Sequence, residues 1–146
     1  MYIDVVGKQS TKGRVMGLDM YLYKKNRAGE PVEIGYWRKA NAIHGWFVRE
    51  CQAGVDECQE TLVSSDKLLD LLAKVWDILS LADTHMPWKA TAAKTLPSQE
   101  GFFFGSTDYD NYYLDDLRNT ENILLKAIKE TEPIYYQSSW KCKEGA

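Results

Sequence analysis

Two short stretches of this chain concentrate side chains that can do chemistry. "GYWRKANAIHGWF", residues 35 to 47, sets Arg38, Lys39, Asn41 and His44 among two tryptophans and a phenylalanine. "GFFFGSTDYDNYY", residues 101 to 113, sets Ser106, Thr107, Asp108 and Asp110 among phenylalanines and tyrosines. Two cations beside the free N–H groups of a helix start make a site for phosphate or another anion, which arginine can grip bidentately. Gly105, Ser106 and Thr107 stand before a helix and offer hydroxyls and N–H groups to a phosphate or sugar. Asp108 and Asp110 repel a phosphate at the same spot but accept hydrogen bonds from ribose hydroxyls or a base edge. Phe102, Phe103, Tyr109, Tyr112 and Tyr113 supply π faces, and stacking a base on such a ring is worth ~1–3 kcal/mol. The candidate ligand-binding set is Trp37, Arg38, Asn41, His44, Phe104, Ser106, Thr107, Asp108, Tyr109 and Tyr112.

Catalysis is the competing use of the same residues. His44 as a general base, with Arg38 stabilising an anion, suits a phosphodiesterase or lyase. Ser106 or Cys51 paired with His44 makes a weaker case, because acyl transfer needs a third group to orient the imidazole and the chain has no GxSxG turn. It also has no GxxxxGK[ST] loop and no GxGxxG turn, which removes the common nucleotide-hydrolysing and dinucleotide-using folds. Asp108-x-Asp110 lacks further ligands at set spacing, so no metal and no cofactor is expected. A purely structural reading stands beside both. Trp37 and Trp46 then fill the core, Gly45 admits a neighbouring helix, His44 is a satisfied polar group, and the heads of Arg38 and Lys39 reach solvent.

The elements that must position these groups follow from periodicity. "LDMYLYKKNRAGEPVEIGYW" alternates on both sides of a turn-rich "KNRAGEP", predicting a hairpin of strands 18 to 24 and 32 to 37. Ala40, Ile43, Phe47 and Cys51 recur at three- and four-residue steps, predicting a helix over 39 to 52 that Gly54 can end. Trp37, Asn41 and His44 would share one stripe of it. Ser65 and Asp66 can cap a second helix with a broad stripe of Leu68, Leu69, Leu72, Val75, Trp76 and Leu79. Residues 83 to 101 hold two prolines and no sustained period, reading as a long loop with Trp88 a candidate lid. "FFF" reads as a brief strand. A third helix is expected over 109 to 129, ended by Pro133, and "IYYQSSW" returns as a strand beside the hairpin. The sum is an α+β domain, a small antiparallel sheet with three helices on one face.

Composition bounds the class. A chain of 146 residues builds one ordinary domain. Residues 1–15, with their polar KQSTKGR run before Met16, read as an N-terminal extension to a domain of 16–146; a strand at Tyr2 to Val6 is the alternative. A net charge of −3 without a basic stripe argues against nucleic acid as partner. Three cysteines, Cys51, Cys58 and Cys142, show no CxxC spacing and read as free thiols of a cytoplasmic protein. No apolar run reaches the ~20 residues that span a bilayer.

"MGLDMYLYKK", "IGYWRKANAIHGWF", "GFFFGSTDYDNYYLDDL" and "IYYQSSW" resemble a family of small bacteriophage- and prophage-encoded proteins, from Met16 to Trp140. The resemblance brings no catalytic residues, fold or substrate. It implies a setting, the cytoplasm of an infected or lysogenic bacterium, where phage genes of this size often counter host defences. Joined to the residues, it gives the expected function: a homodimeric protein that binds a small anionic or nucleotide-like ligand and sequesters a host nucleotide signal. An enzyme that degrades such a signal through His44, and a protein that inhibits a host defence enzyme by direct contact, are the alternatives.

Overall fold

The computed structural model describes residues 17 to 101 and 104 to 140. The expected extension at 1–15, the strand and ring contacts assigned to Phe102 and Phe103, and Cys142 lie outside the described residues. The order is β1 (Asp19–Lys25), β2 (Pro31–Arg38), α1 (Asn41–Cys51), β3 (Thr61–Val63), α2 (Ser65–Asp83), α3 (Lys89–Thr95), α4 (Asn111–Ala127) and β4 (Ile134–Ser139). The four strands form one antiparallel sheet in the order β2-β1-β4-β3, so the class is α+β and the C-terminal strand lies beside the opening hairpin.

Alternation decides which side of the sheet is buried. Met20 pairs with Trp37 and Ser138, and Leu22 with Gly35 and Tyr136, so these side chains share the inner face with Val63 and Ile134. Tyr21, Tyr36 and Gln137 fall on the opposite face with Tyr23 and Tyr135. Against the inner face lie Ile43, Trp46 and Phe47 of α1, Leu68, Leu71, Leu72, Val75 and Ile78 of α2, and Leu117, Ile123 and Leu124 of α4, one continuous core. Gly35 lets α4 lie close against the sheet: a Cβ there would collide with Ile123.

Several expectations are corrected. The first helix begins at Asn41, because Lys39 turns the chain with a left-handed φ of 56°, so Trp37 belongs to β2 and not to a shared helical stripe with Asn41 and His44. The loop over 83 to 101 contains the short helix α3, and β3 adds a strand that was not expected. Among the described residues there are therefore four helices. The free-thiol expectation holds for Cys51 and fails for Cys58, which is disulfide-bonded. Among the described residues no helix is long and apolar enough to cross a membrane.

Candidate functional site

The chain leaves β2 at Arg38, turns at Lys39 and enters α1 at Asn41, whose side chain is buried. Its amide is divided between three backbone groups. Nδ2 donates to the carbonyl oxygens of Phe104 at 3.1 Å and Ser106 at 2.8 Å, and Oδ1 accepts from Gln99 N–H at 2.9 Å. One buried amide thus holds the segment that precedes α4 against the start of α1. Gly105 has a φ of +86° and lies over the Lys39 side chain, where a Cβ would stand 3.3 Å from Lys39 Cβ. Glycine satisfies both the left-handed backbone and the close approach.

Between these segments and α4 lies a cavity of about 350 Å³, inside the range of roughly 300–1,000 Å³ usual for small-molecule sites. Arg38, Lys39 and Asn41 form one wall, Ser98, Gly105, Ser106 and Asp108 a second, and Asp110, Tyr112, Tyr113, Asp115 and Asp116 the α4 wall. Opposed charges therefore face one another across it. Arg38 is engaged, with Nη1 donating to Asp19 Oδ1 at 2.8 Å. The Lys39 ammonium has no ion-pair partner among the described residues. Asp110 is the N-cap of α4, accepting from Tyr113 N–H at 3.1 Å, which neutralises part of the helix-end dipole. Asp116 is half-buried; burial first, then the neighbouring charges of Asp115 and Asp110, push its carboxyl up to about 7. Tyr112 stands 80% exposed beside the cavity, with its ring free to cover a ligand.

The expected site divides in two. Arg38, Asn41, Ser106, Asp108 and Tyr112 line the cavity; Trp37, His44, Phe104, Thr107 and Tyr109 do not. Trp37 is buried and donates from Nε1 to Thr120 Oγ1 at 2.8 Å. Tyr109 packs edge-on to Tyr113, and its hydroxyl accepts from Ser98 N–H at 3.0 Å.

His44 is fully buried. Its Nδ1 lies 2.6 Å from the Tyr136 hydroxyl and its Nε2 3.0 Å from Asp56 Oδ1. In the tautomer that carries its proton on Nε2, the ring donates to Asp56 and accepts at Nδ1 from the Tyr136 hydroxyl. Phe104 meets the ring edge-on at 5.3 Å. Gly45 makes room beside this group for the Gln99 side chain, whose Oε1 would stand 3.0 Å from an added Cβ. Burial pushes the Cys51 thiol up to about 11, which suits it poorly to serve as a nucleophile. Among the described residues no group of three or more His, Cys, Asp or Glu is arranged to hold a metal ion.

Lys39 and the carboxylates of α4 complete the cavity and stand outside the residues picked from the sequence. Lys39 reads there either as an anion-binding cation or as a solvent-reaching corner residue, and no role is given to Asp115 or Asp116. A usable signal exists: Asp116 follows the buried Tyr113 by three residues, the spacing that puts two side chains on one helix face. Comparison with protein-family models, curated proteins and solved structures finds no match to this chain.

Proposed function

We propose that this protein binds a compact nucleotide-like anion in the cleft between α1 and α4 and holds it without cleaving it. The opposed lining of the cavity carries the reading. Lys39, Arg38 and the Ser106 hydroxyl on two walls suit a phosphate, while the carboxylates of α4 accept from ribose hydroxyls or a base edge and Tyr112 can stack. A purely anionic ligand would meet repulsion on the α4 side, and a purely cationic one at Lys39. A nucleotide satisfies both ends. In the phage setting implied by the sequence resemblance, the ligand is a host signalling nucleotide and the protein acts by sequestering it.

Holding rather than cleaving is favoured by the position of His44, whose two ring nitrogens are occupied by Tyr136 and Asp56 away from the cavity lining. A general base needs hydrogen-bond reach to the proton it removes. The test is mass spectrometry of small molecules released by heat from the purified protein, followed by chromatography of cyclic and linear nucleotides after long incubation with it. Intact nucleotide in both is the expected result. Turnover by wild type that disappears in His44→Gln would replace capture by catalysis, and nucleotide-free protein that binds none when offered it would remove the proposal.

A further inference from the structure

The outer face of the sheet is buried along β1, on the side away from the helices. Tyr21 and Tyr23 point from β1 opposite to Met20 and Leu22, yet they are only 9% and 2% exposed. Each described helix contributes to the core on the inner face, and neither tyrosine belongs to that core. Their described ring neighbours stand beside them in the sheet layer, where cross-strand pairs meet. Tyr21 tilts against Tyr36 at 5.5 Å, Tyr23 stacks on Tyr135 at 5.7 Å, and the Tyr23 hydroxyl reaches Glu60 and Gln137. Towards both edges the same face opens, with Tyr36 38% and Leu62 61% exposed. The cover therefore lies along β1. A second copy would cover the face only in a dimer, whereas these tyrosines are buried in a single chain.

We propose that the amino-terminal segment of this chain docks on the tyrosine face, with Ile3 and Val5 packed against Tyr21 and Tyr23. "MYIDVV" alternates so that Ile3 and Val5 share one side, which favours the strand-like reading of Tyr2 to Val6 over a bare extension. The reach is sufficient. Tyr23 lies four residues along β1 from Asp19, about 13 Å, and the ten residues 7–16 span up to about 33 Å when extended. Lys8, Lys12 and Arg14 in that connection bring positive charge to a face that carries Asp19, Glu33 and Glu60 beside its tyrosines. Residues 141–146, "KCKEGA", follow β4 at the same end of the sheet but bring three charged side chains and no alternating apolar pair. The amino-terminal residues thus close the second side of the sheet as the helices close the first.

Nuclear Overhauser contacts in the isotope-labelled 146-residue chain test this. The expected result is contacts from the methyl groups of Ile3 and Val5 to the ring protons of Tyr21 and Tyr23, which stay within one molecule when labelled and unlabelled chains are mixed. Absence of these contacts overturns the proposal, and contacts found only between chains overturn it in favour of a second copy. Ile3→Asp combined with Val5→Asp in the same chain should raise the rate of iodination of Tyr21 and Tyr23 about tenfold or more, as local protection is lost, with the amide signals of α2 and α4 in place. An unchanged rate in the folded variant also overturns the proposal. If the variant does not fold, the contacts in wild type decide.

Discussion

Asn41 Nδ2 donates to the Ser106 carbonyl oxygen at 2.8 Å, and this bond joins the two stretches of sequence that hold most of the polar chemistry. The same side chain binds Phe104 and Gln99, so it shapes a wall of the cavity as well as lining it. Asn41→Ala should cost about 2–3 kcal/mol of stability, from three backbone groups deprived of a buried partner. Urea unfolding measures it. Nucleotide affinity should fall with it, because Gly105 and Ser106 lose their anchor. A loss below about 0.5 kcal/mol would show that water replaces the amide and that the loop does not depend on it.

His44 should behave as a structural group. His44→Gln disturbs the contacts with Tyr136 and Asp56 in a site with no exposure and should lower stability by about 2 kcal/mol. Nucleotide affinity, measured on the fraction that remains folded, should fall by less than about tenfold, the worth of one neutral hydrogen bond. A larger loss of affinity with unchanged stability would place His44 on the ligand.

Asp116 gives stability an unusual pH dependence. Burial and the charges of Asp115 and Asp110 raise its folded pKa to about 7, above the ordinary aspartate value of 3.8, so the native state holds this proton more tightly than the unfolded chain. The contribution is fully present below about pH 4 and is lost as pH rises through 7. Asp116→Asn should therefore match wild type near pH 4 and be more stable at pH 8. The gain should be roughly 1–2 kcal/mol, discounted for partial solvent access. Thermal melts at both values decide it; equal stability at pH 8 would mean that the carboxyl ionises without penalty.

Assembly follows from the sheet's two edges. β2 and β3 flank the sheet, and Val32, Tyr36 and Leu62 are exposed on them. A two-fold partner would cover such an edge. Light scattering at micromolar concentration should give twice the 16.7 kDa chain mass, and Leu62→Lys or Val32→Lys should halve it. A wild-type mass of one chain would contradict the dimer.

The hairpin, α2 and β4 are readable from sequence because their apolar residues recur periodically: Met20 and Leu22 alternate with tyrosines, and Leu68, Leu72, Val75 and Leu79 repeat at helical steps, although Leu69 and Trp76 of the expected stripe are exposed and Tyr21 and Tyr23 are buried as well. β3 is three residues long, too short for alternation to register. α3 is hidden between Pro87 and Pro97, which mark a loop in any local reading. At the site, Arg38, Asn41, Ser106, Asp108 and Tyr112 could be chosen by residue type. The stripe drawn through Trp37, Asn41 and His44 fails because one left-handed residue, Lys39, ends the strand and sets a new helical phase. Backbone φ at a lysine is set by tertiary packing, here by Gly105 lying against its side chain.

The most direct test of the account is amide mapping of the binding site. Titrating adenosine 5′-monophosphate into isotope-labelled protein should move the backbone signals of Lys39, Asn41, Gly105, Ser106, Asp108 and Tyr112, saturably and together. Lys39→Glu, which reverses the cation without an ion-pair partner, should abolish those shifts while leaving the remaining spectrum folded. Shifts confined to other surfaces, or none up to millimolar nucleotide, would contradict the claim that the cleft between α1 and α4 is the binding site.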